Sequence, residues 1–447
     1  MVMVSTHKKR CVIIGAGVAG IAAAMEAAQQ GIEVIVLEAH RYIGGRARSF
    51  LDEVTGDTLD NGQHVAMGCY SSLRSMLRQL GTESLLQPDE PIPIVFRSSA
   101  ESDVFNPYRL PGIAGVLGGI MGMKSFSWRE RLRLLYGGIR IGIRRGTRGH
   151  TVSSVLQAYK QPRKVVQRFW EPLALATLNA PPPTADASLL TAVVRKAFFG
   201  GGTSHHLLVP RAGLSQLWEP FPEWLKQHGG ELRLGVRVEE LVWLDDRVIG
   251  VATSDGEEIR ASAVITAVPP KAFVRLLPPT YRERFASVES FETMPIVSVY
   301  LWYDTPMHLP PVVGLWGTQS QWVFNRDRIV ERLQESRARY PGHVEVTISG
   351  ARALAQQPAE AIATLVAEEL RSIFPEVAEA TLLRWRVIKE RSATVLLTPK
   401  SVYYRLGPQS GIAGLLIAGD WTATGLPATL EGAAQSGRSA ARLVAHL

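Results

Sequence analysis

The chain has 447 residues, a formal net charge of +8, 46% hydrophobic and 20% charged residues, which is too long for one ordinary core and too apolar for a disordered chain. Its only cysteines, Cys11 and Cys69, exclude a disulfide framework and a cysteine-rich metal site, and no metal is expected. No charged, apolar and small-residue leader precedes the first apolar run, and no apolar run is long enough to span a bilayer, so the expectation is a cytoplasmic protein that is neither secreted nor transmembrane.

The stretch CVIIGAGVAG, Cys11 to Gly20, reads as a buried strand, a tight glycine turn and the start of an alanine-rich helix. Gly15, Gly17 and Gly20 stand at GxGxxG spacing, with Ala16, Val18 and Ala19 between them. The first glycine lets the chain reverse at positive φ, the second admits a pyrophosphate to the backbone, and the third brings helix close to strand. The helix N-terminus then faces the phosphates with free N–H groups and a favourable dipole. Glu38, followed by Ala39, ends a second apolar run, IEVIVLE. A carboxylate there accepts both ribose hydroxyls and repels a 2′-phosphate. Gly44, Gly45 and Arg46 form a second glycine turn, which suits backbone and guanidinium contacts to a longer diphosphate ligand and argues for FAD over NAD. In LDNGQHVAMGCY, Asp60, Asn61, Gly62, Gln63 and His64 are packed between apolar residues. Polar groups in that setting need partners, and an isoalloxazine edge offers them; His64 equally suits a structural role.

Helical spacing begins at Ser71 and returns over Trp128 to Leu135 and Val152 to Ala176. Three prolines in NAPPPT break it, and SLLTAVVRKAFF resumes it up to a run of glycines. From Lys124 to Arg148 eight residues are basic (Lys124, Arg129, Arg131, Arg133, Arg140, Arg144, Arg145 and Arg148) and one, Glu130, is acidic. The apolar, glycine-rich LPGIAGVLGGIMGM, Leu110 to Met123, comes directly before. This arrangement suits a monotopic protein on an anionic membrane surface, and equally a helical subdomain with solvated arginines. Aromatics in the basic window are few, Phe126, Trp128 and Tyr136, which argues against nucleic acid.

Between Glu231 and Pro270 the residues alternate, with turns at DDR and SDGEE, predicting a strand, a hairpin and a further buried strand, AVITAVPP, that return the chain to the nucleotide domain. Val238 falls where a strand backbone can meet an adenine edge. IVSVYLWYD, QWVFNR and HVEVTISG predict an antiparallel sheet whose aromatics, Tyr300, Trp302, Tyr303, Trp316, Trp322 and Phe324, fit either a greasy pocket wall or plain core. The terminal GLLIAGDWTATGLPATLEGA reads as a buried strand ending at Gly419 and Asp420, a loop with Pro427, and a helix opening near Ala428, with Thr429 and Leu430 in its first turn. Asp420 can accept a hydrogen bond from a ribityl hydroxyl, and the helix N-terminus can place positive dipole near a flavin C2 carbonyl, stabilising the anionic reduced ring.

GAGVAG with Glu38, GGRARSF, DNGQH, VITAVPP and AGDWTATGLPATLEGA together resemble the amine oxidase and phytoene desaturase superfamily of FAD enzymes. Within it, DNGQHV, FWEPLALATLNAPP (Phe169 to Pro182), LLVPRAGLSQL and GDWTATGLPATLEGA are most similar to the hydroxysqualene dehydroxylases, and the resemblance covers nearly the whole chain. It implies an α/β fold: a Rossmann-type FAD-binding domain, discontinuous over 1–95, 205–290 and 385–447, and a mixed α+β substrate domain over 96–204 and 291–384. A helical subdomain is a candidate for facing a membrane. The implied substrate is a long-chain isoprenoid in a hydrophobic tunnel, the implied reaction the reductive conversion of hydroxysqualene to squalene in a hopanoid pathway, and the implied location the inner face of the cytoplasmic membrane. An external electron donor, NADPH or a flavin reductase, would be needed. Hydride would pass from N5 of reduced FAD to carbon while an acid protonates the leaving oxygen. His64 is the first candidate for that acid, with Asp60 or water next, and Trp170, Tyr300, Trp302 and Trp421 are candidates to ease positive charge on the carbon.

Three alternatives stand beside this reading. A carotenoid or phytoene-type desaturase would run the same flavin oxidatively. An amine oxidase needs two aromatic walls, of which Trp421 could be one, and usually a lysine at N5; no second wall or lysine is placed by the sequence. A prenyl-lipid carrier similar to GDP-dissociation inhibitors would need no flavin, and the complete nucleotide motifs count against it.

Overall fold

The computed structural model describes residues 9–86, 92–107, 110, 112–144 and 146–446. Strand β1 (Arg10–Ile14) and strand β2 (Glu33–Glu38) lie parallel and are joined by helix α1 (Val18–Gln29). Cys11 to Ile14 are buried on both faces, which is why that run shows no polar alternation. The six-stranded sheet runs in the order Gln409–Ile412, Leu415–Ile417, Ala263–Thr266, β1, β2, Glu231–Leu234. All its pairings are parallel except that of the edge strand Gln409–Ile412. Distant parts of the chain thus build one Rossmann-type layer, the α/β class expected. A separate three-stranded antiparallel unit, Val238–Leu244, Arg247–Thr253 and Glu258–Arg260, turns where DDR and SDGEE predict.

The second large sheet has seven strands, in the order Leu382–Val395, Thr293–Tyr303, Gly342–Ile348, Trp322–Asn325, Val312–Leu315, Ile94–Arg97, Ser102–Phe105. Two expected boundaries fall inside its strands and need correction. Residue 95 lies within Ile94–Arg97, which pairs parallel with Val312–Leu315. Residue 385 lies within Leu382–Val395, whose register against Thr293–Tyr303 runs from Tyr303↔Leu382 to Thr293↔Val395. The chain therefore stays with this sheet until Val395. Pairing with a strand far back in the sequence leaves no local compositional mark, so the shift in boundary was not readable.

The helices Gly112–Gly122, Trp128–Ile143, Val152–Ala158, Glu171–Leu178 and Ala187–Phe198 fill the middle of the chain. A capping box starts the second: Ser127 accepts from the Glu130 N–H, and the Glu130 carboxylate accepts from the Ser127 N–H. It runs past the predicted Leu135 because Gly137 is used for packing, where a Cβ would stand 2.5 Å from the Gln161 side chain. The helix expected over Val152 to Ala176 is instead broken at Gln161 and Pro162 and carries a π-turn at Val166–Trp170.

The C-terminal helix, Leu430–Val444, lies on α1, and a Cβ at Gly437 would sit 2.0 Å from the Ala19 carbonyl oxygen. Two helix backbones cannot yield there without moving apart. Gly437→Val is therefore expected to destabilise the fold by about 3 kcal/mol, read as a lowered denaturation midpoint, whereas an unchanged midpoint would mean that the helices separate freely.

Candidate cofactor and substrate site

The site begins at the turn after β1. Gly15 has φ 101°, and its N–H donates to the Leu37 carbonyl at 2.8 Å. A Cβ at Gly20 would lie 1.9 Å from the Gly15 oxygen, so helix and strand touch through bare backbone. At Gly17 a Cβ would meet nothing within 4 Å. The first turn of α1, opening with Val18 and Ala19, has neither an acidic residue nor a side-chain cap. Open space in front of uncapped N–H groups fits a diphosphate.

Glu38 stands at the tip of β2 beside half-buried Ala39. Its Oε2 accepts from the Ala16 N–H at 2.8 Å and its Oε1 from the His40 N–H at 2.9 Å, so the carboxylate borders the glycine turn, where ribose is expected. Val236 donates to the Glu38 carbonyl at 3.0 Å, which brings buried Val238 to the same corner. The second glycine turn packs on the first: Gly44 N–H donates to the Ala16 carbonyl at 2.8 Å, and a Cβ on Gly45 would lie 3.3 Å from the Gly17 Cα.

Arg46 reaches across the fold. Its Nη2 donates to Asp420 Oδ1 at 2.8 Å and its Nη1 to the Ala393 carbonyl at 2.7 Å. Asp420 follows Gly419, whose N–H donates to Ser436 of the C-terminal helix at 3.0 Å. Buried Arg405 shapes the loop after Asp420 by donating to the carbonyls of Asp420 (3.1 Å), Trp421 (3.2 Å) and Leu426 (2.7 Å). Burial pushes its pKa down to about 10, which leaves it cationic at neutral pH. The helix begins at Leu430, later than expected near Ala428, because Thr429 is its N-cap and accepts from the Gly432 N–H at 3.2 Å. Pro427 and Ala428 belong to the approach loop.

The DNGQH segment is tied down by partners that local sequence did not reveal. Asp60 Oδ1 accepts from the Ser49 hydroxyl at 2.7 Å and the Leu214 N–H at 2.9 Å, while Oδ2 faces Arg326 at 3.2 Å. Asn61 donates to Glu390 at 2.6 Å. The Gln63 N–H donates to Glu345 Oε1 at 2.9 Å, and Gln63 Oε1 accepts from Arg326 at 2.6 Å. Gly62 is buried, and a Cβ there would stand 3.4 Å from Ser298 Oγ. The His64 Nδ1–H donates to the Gly62 carbonyl at 2.8 Å, and burial lowers the imidazole pKa. A neutral ring held this way presents Nε2 as an acceptor. The geometry thus fits His64 to accept a hydrogen bond, and holds Asp60 as an ion-paired carboxylate; neither side chain is arranged as a proton donor.

The aromatic candidates are core residues. The Trp302 indole N–H donates to Asp57 at 2.7 Å, that of Trp170 to Gln161 at 2.9 Å and that of Trp421 to the Val268 carbonyl at 3.0 Å. Tyr300 donates to the Asp60 carbonyl at 2.9 Å. All four are buried, which corrects their expected place beside a reacting carbon. Residues missed by sequence reasoning are Arg326 and Glu345, Arg405, and Lys196. Glu345 is a carboxylate on a strand buried on both faces, HVEVT, and that isolated charge was a usable signal. Lys196 lines a narrow cleft between helix Ala187–Phe198 and the Pro427 to Glu431 segment. Among the described residues no cluster of His, Cys, Asp and Glu suits a metal ion.

The family model for flavin-containing amine oxidoreductases matches residues 18–445. The hydroxysqualene dehydroxylase of Sinorhizobium fredii is 33% identical, over 96% of this chain and 97% of its own. The 15-cis-phytoene desaturase of Synechococcus elongatus is 23% identical, over 97% of this chain and 95% of its own. Among solved structures, putrescine oxidase bound to putrescine superposes with a TM-score of 0.72 at 18% identity, over 98% of this chain and 99% of its own.

Burial raises the Glu345 carboxyl pKa from 4.5 to about 7. The native state therefore holds this proton more tightly than the unfolded chain, and the associated stability is full below the unfolded pKa and lost as pH rises through the folded one. Between these pKa values wild-type stability should fall relative to Glu345→Gln with a slope on the order of 1 kcal/mol per pH unit. Parallel denaturation curves for the two proteins from pH 5 to pH 8 (~3 units) would contradict the assignment.

Proposed function

The chain belongs to the hydroxysqualene dehydroxylase family within the flavin-containing amine oxidoreductases, and we propose that it reductively removes the hydroxyl of hydroxysqualene to give squalene for hopanoid synthesis. It is an FAD-dependent oxidoreductase. The observation that carries the substrate reading is the 33% identity to the Sinorhizobium dehydroxylase over nearly both full lengths, against 23% to the phytoene desaturase. Bound FAD supplies a hydride when reduced. The chain's own part is to hold the diphosphate at Gly15 to Gly20, with Arg46 beside Gly44 and Gly45; Glu38 takes the ribose and Asp420 the ribityl chain. Leu430 opens the helix whose dipole favours charge on the ring. An external reductant completes the cycle.

A lipid surface is the proposed source of substrate. Helix Trp128–Ile143 leaves Trp128, Leu132, Tyr136, Ile139 and Ile143 exposed, Trp128 and Ile143 by 62% and 61%. At 3.6 residues per turn these five fall in one arc of about 80°, and Arg129, Arg133, Arg140 and Arg144 fill the adjoining arc. Leu134, Gly137 and Ile141, on the other side, are buried. An apolar stripe edged by arginines suits a helix lying in an anionic headgroup layer. Arg145, counted with this basic window, lies outside the described residues. Among the described residues no helix is long and apolar enough to cross a membrane.

Two experiments test these readings. Under anaerobic conditions the photoreduced enzyme mixed with hydroxysqualene should form squalene as its flavin reoxidises; reduction of oxidised flavin by a polyene, with hydroxysqualene inert, would favour a desaturase. Ile139→Glu with Ile143→Glu should weaken binding to anionic liposomes by about tenfold or more, and Arg129→Gln with Arg133→Gln should remove the salt-sensitive part of binding. Unchanged sedimentation with liposomes would detach this helix from the membrane.

A further inference from the structure

The cleft beside Pro427 contains a group of polar side chains that the cofactor motifs do not use. Met67, Val193, Leu426 and Pro427 give it apolar walls. Lys196 and Tyr70 face the same space, with Thr429 between them and the C-terminal helix. Its other titratable groups are already committed. Glu431 accepts from the N–H groups of Ser72 (3.1 Å) and Leu73 (2.9 Å), capping helix Ser71–Leu80. Burial and the Glu431 carboxylate push the Cys69 thiol up to about 11, so it stays protonated. Burial likewise raises the Tyr70 phenol, which shares a hydrogen bond with the Thr429 side chain. Lys196 differs from all of these: among the described residues no carboxylate lies within ion-pair distance of it, and its side chain is exposed at the mouth of the cleft.

Position gives this cation its meaning. Thr429 caps the helix whose N-terminus is expected near the flavin C2 carbonyl, and Thr429 also lines the cleft, so the cleft borders the expected place of the ring. Helix Ala187–Phe198 also touches the apolar surface helix, because Arg195 donates to the carbonyls of Gly142 and Arg144 at 3.1 Å each, closing the C-terminus of Trp128–Ile143. The surface helix and the helix that carries Lys196 are thus joined directly through Arg195.

We propose that Lys196, with Tyr70, recognises the hydroxyl of a hydrophobic alcohol in this cleft, and that Lys196 is the general acid for its departure. The inference rests on the dehydroxylase reading and adds the acid that neither His64 nor Asp60 is placed to supply. In the step, the carbon–oxygen bond breaks with its electron pair on oxygen. The oxygen takes a proton from Lys196 Nζ and leaves as water. The carbon takes a hydride, with its pair, from reduced FAD, so the carbon is reduced and the cofactor oxidised by two electrons. Lys196 regains its proton from solvent at the cleft mouth.

The test uses the FAD-loaded protein and the variants Lys196→Met, which keeps the length of the stem, and Tyr70→Phe. With oxidised FAD and no reductant, hydroxysqualene and squalene in detergent micelles compete against a fluorescent lipid. Wild type should prefer the alcohol; Lys196→Met should lose that preference by about tenfold, with squalene affinity and FAD content unchanged, and Tyr70→Phe should lose part of it. In single turnovers from reduced enzyme, Lys196→Met should slow squalene formation by about a hundredfold or more. While wild type converts hydroxysqualene, a Lys196→Met variant that keeps the rate shows that Lys196 is not the acid, and one that keeps the preference shows that Lys196 does not recognise the hydroxyl; either overturns the proposal and leaves the substrate reading standing. If wild type neither binds nor converts hydroxysqualene, the substrate reading fails and this assignment falls with it.

Discussion

Everything else in the fold depends on the close approach of bare backbone around α1. Gly20 rests on the Gly15 carbonyl, Gly45 faces the Gly17 Cα, and Gly437 presses on the Ala19 carbonyl. Each contact brings a different part of the chain to the same corner: β1, the second glycine turn, and the C-terminal helix. Side chains at these positions would hold the elements apart by the width of a methyl group or more. Because they meet without side chains, the N-terminus of α1 stays open at Gly17 while its flanks are closed. The same contact that seats the C-terminal helix on α1 also sets where Thr429 and Leu430 begin it, so the two helix N-termini of the cofactor cradle are positioned by one packing arrangement.

A second constraint holds the DNGQH segment to the seven-stranded sheet. Asp60, Gln63 and Glu345 share Arg326, and Asp57 pairs with Arg332 at 2.9 Å, all buried or nearly so. Such pairs add little net stability over well-packed apolar residues, because desolvation offsets attraction. Removing one partner, however, strands a buried charge at a cost of about 3–5 kcal/mol. The DNGQH loop is therefore held in one register against the seven-stranded sheet. Arg46 does the same on the other edge, joining its glycine turn both to Asp420 and to the Ala393 carbonyl on the sheet's outermost long strand.

What was legible in the sequence was what spacing along the chain determines. The glycine turn, Glu38 at a strand end, the Gly44 and Gly45 doublet, and the hairpin at Asp245 and Asp246 are each set by neighbours within a few residues. Glu345, Arg326 and Arg405 were not legible as parts of the site, since their roles arise from partners such as Asp60, 266 residues from Arg326. His64 shows the intermediate case. Its motif located the residue beside the cradle, but its protonation follows from burial and from one carbonyl, Gly62, that only the folded loop aims at Nδ1. The aromatic strand residues are another: alternation placed Tyr300 and Trp302 on a sheet, whereas which face meets a cavity depends on what packs above it.

The helix Trp128–Ile143 joins these threads. Its buried side is ordinary packing, with Leu134 and Ile141 in the core and Gly137 against Gln161. Its outer side is largely exposed, with the Tyr136 ring edge-on to Tyr159, and is apolar where a solvated helix would be charged. An isoprenoid has no stable place in water, so an enzyme acting on one must draw it from lipid and return it there. On the proposed reading the exposed stripe and the cleft are two ends of one route, and Arg195 fixes their separation by capping the surface helix from the helix that carries Lys196. On that route the substrate's own insolubility supplies the direction, and Lys196 with Tyr70 supplies the stopping point.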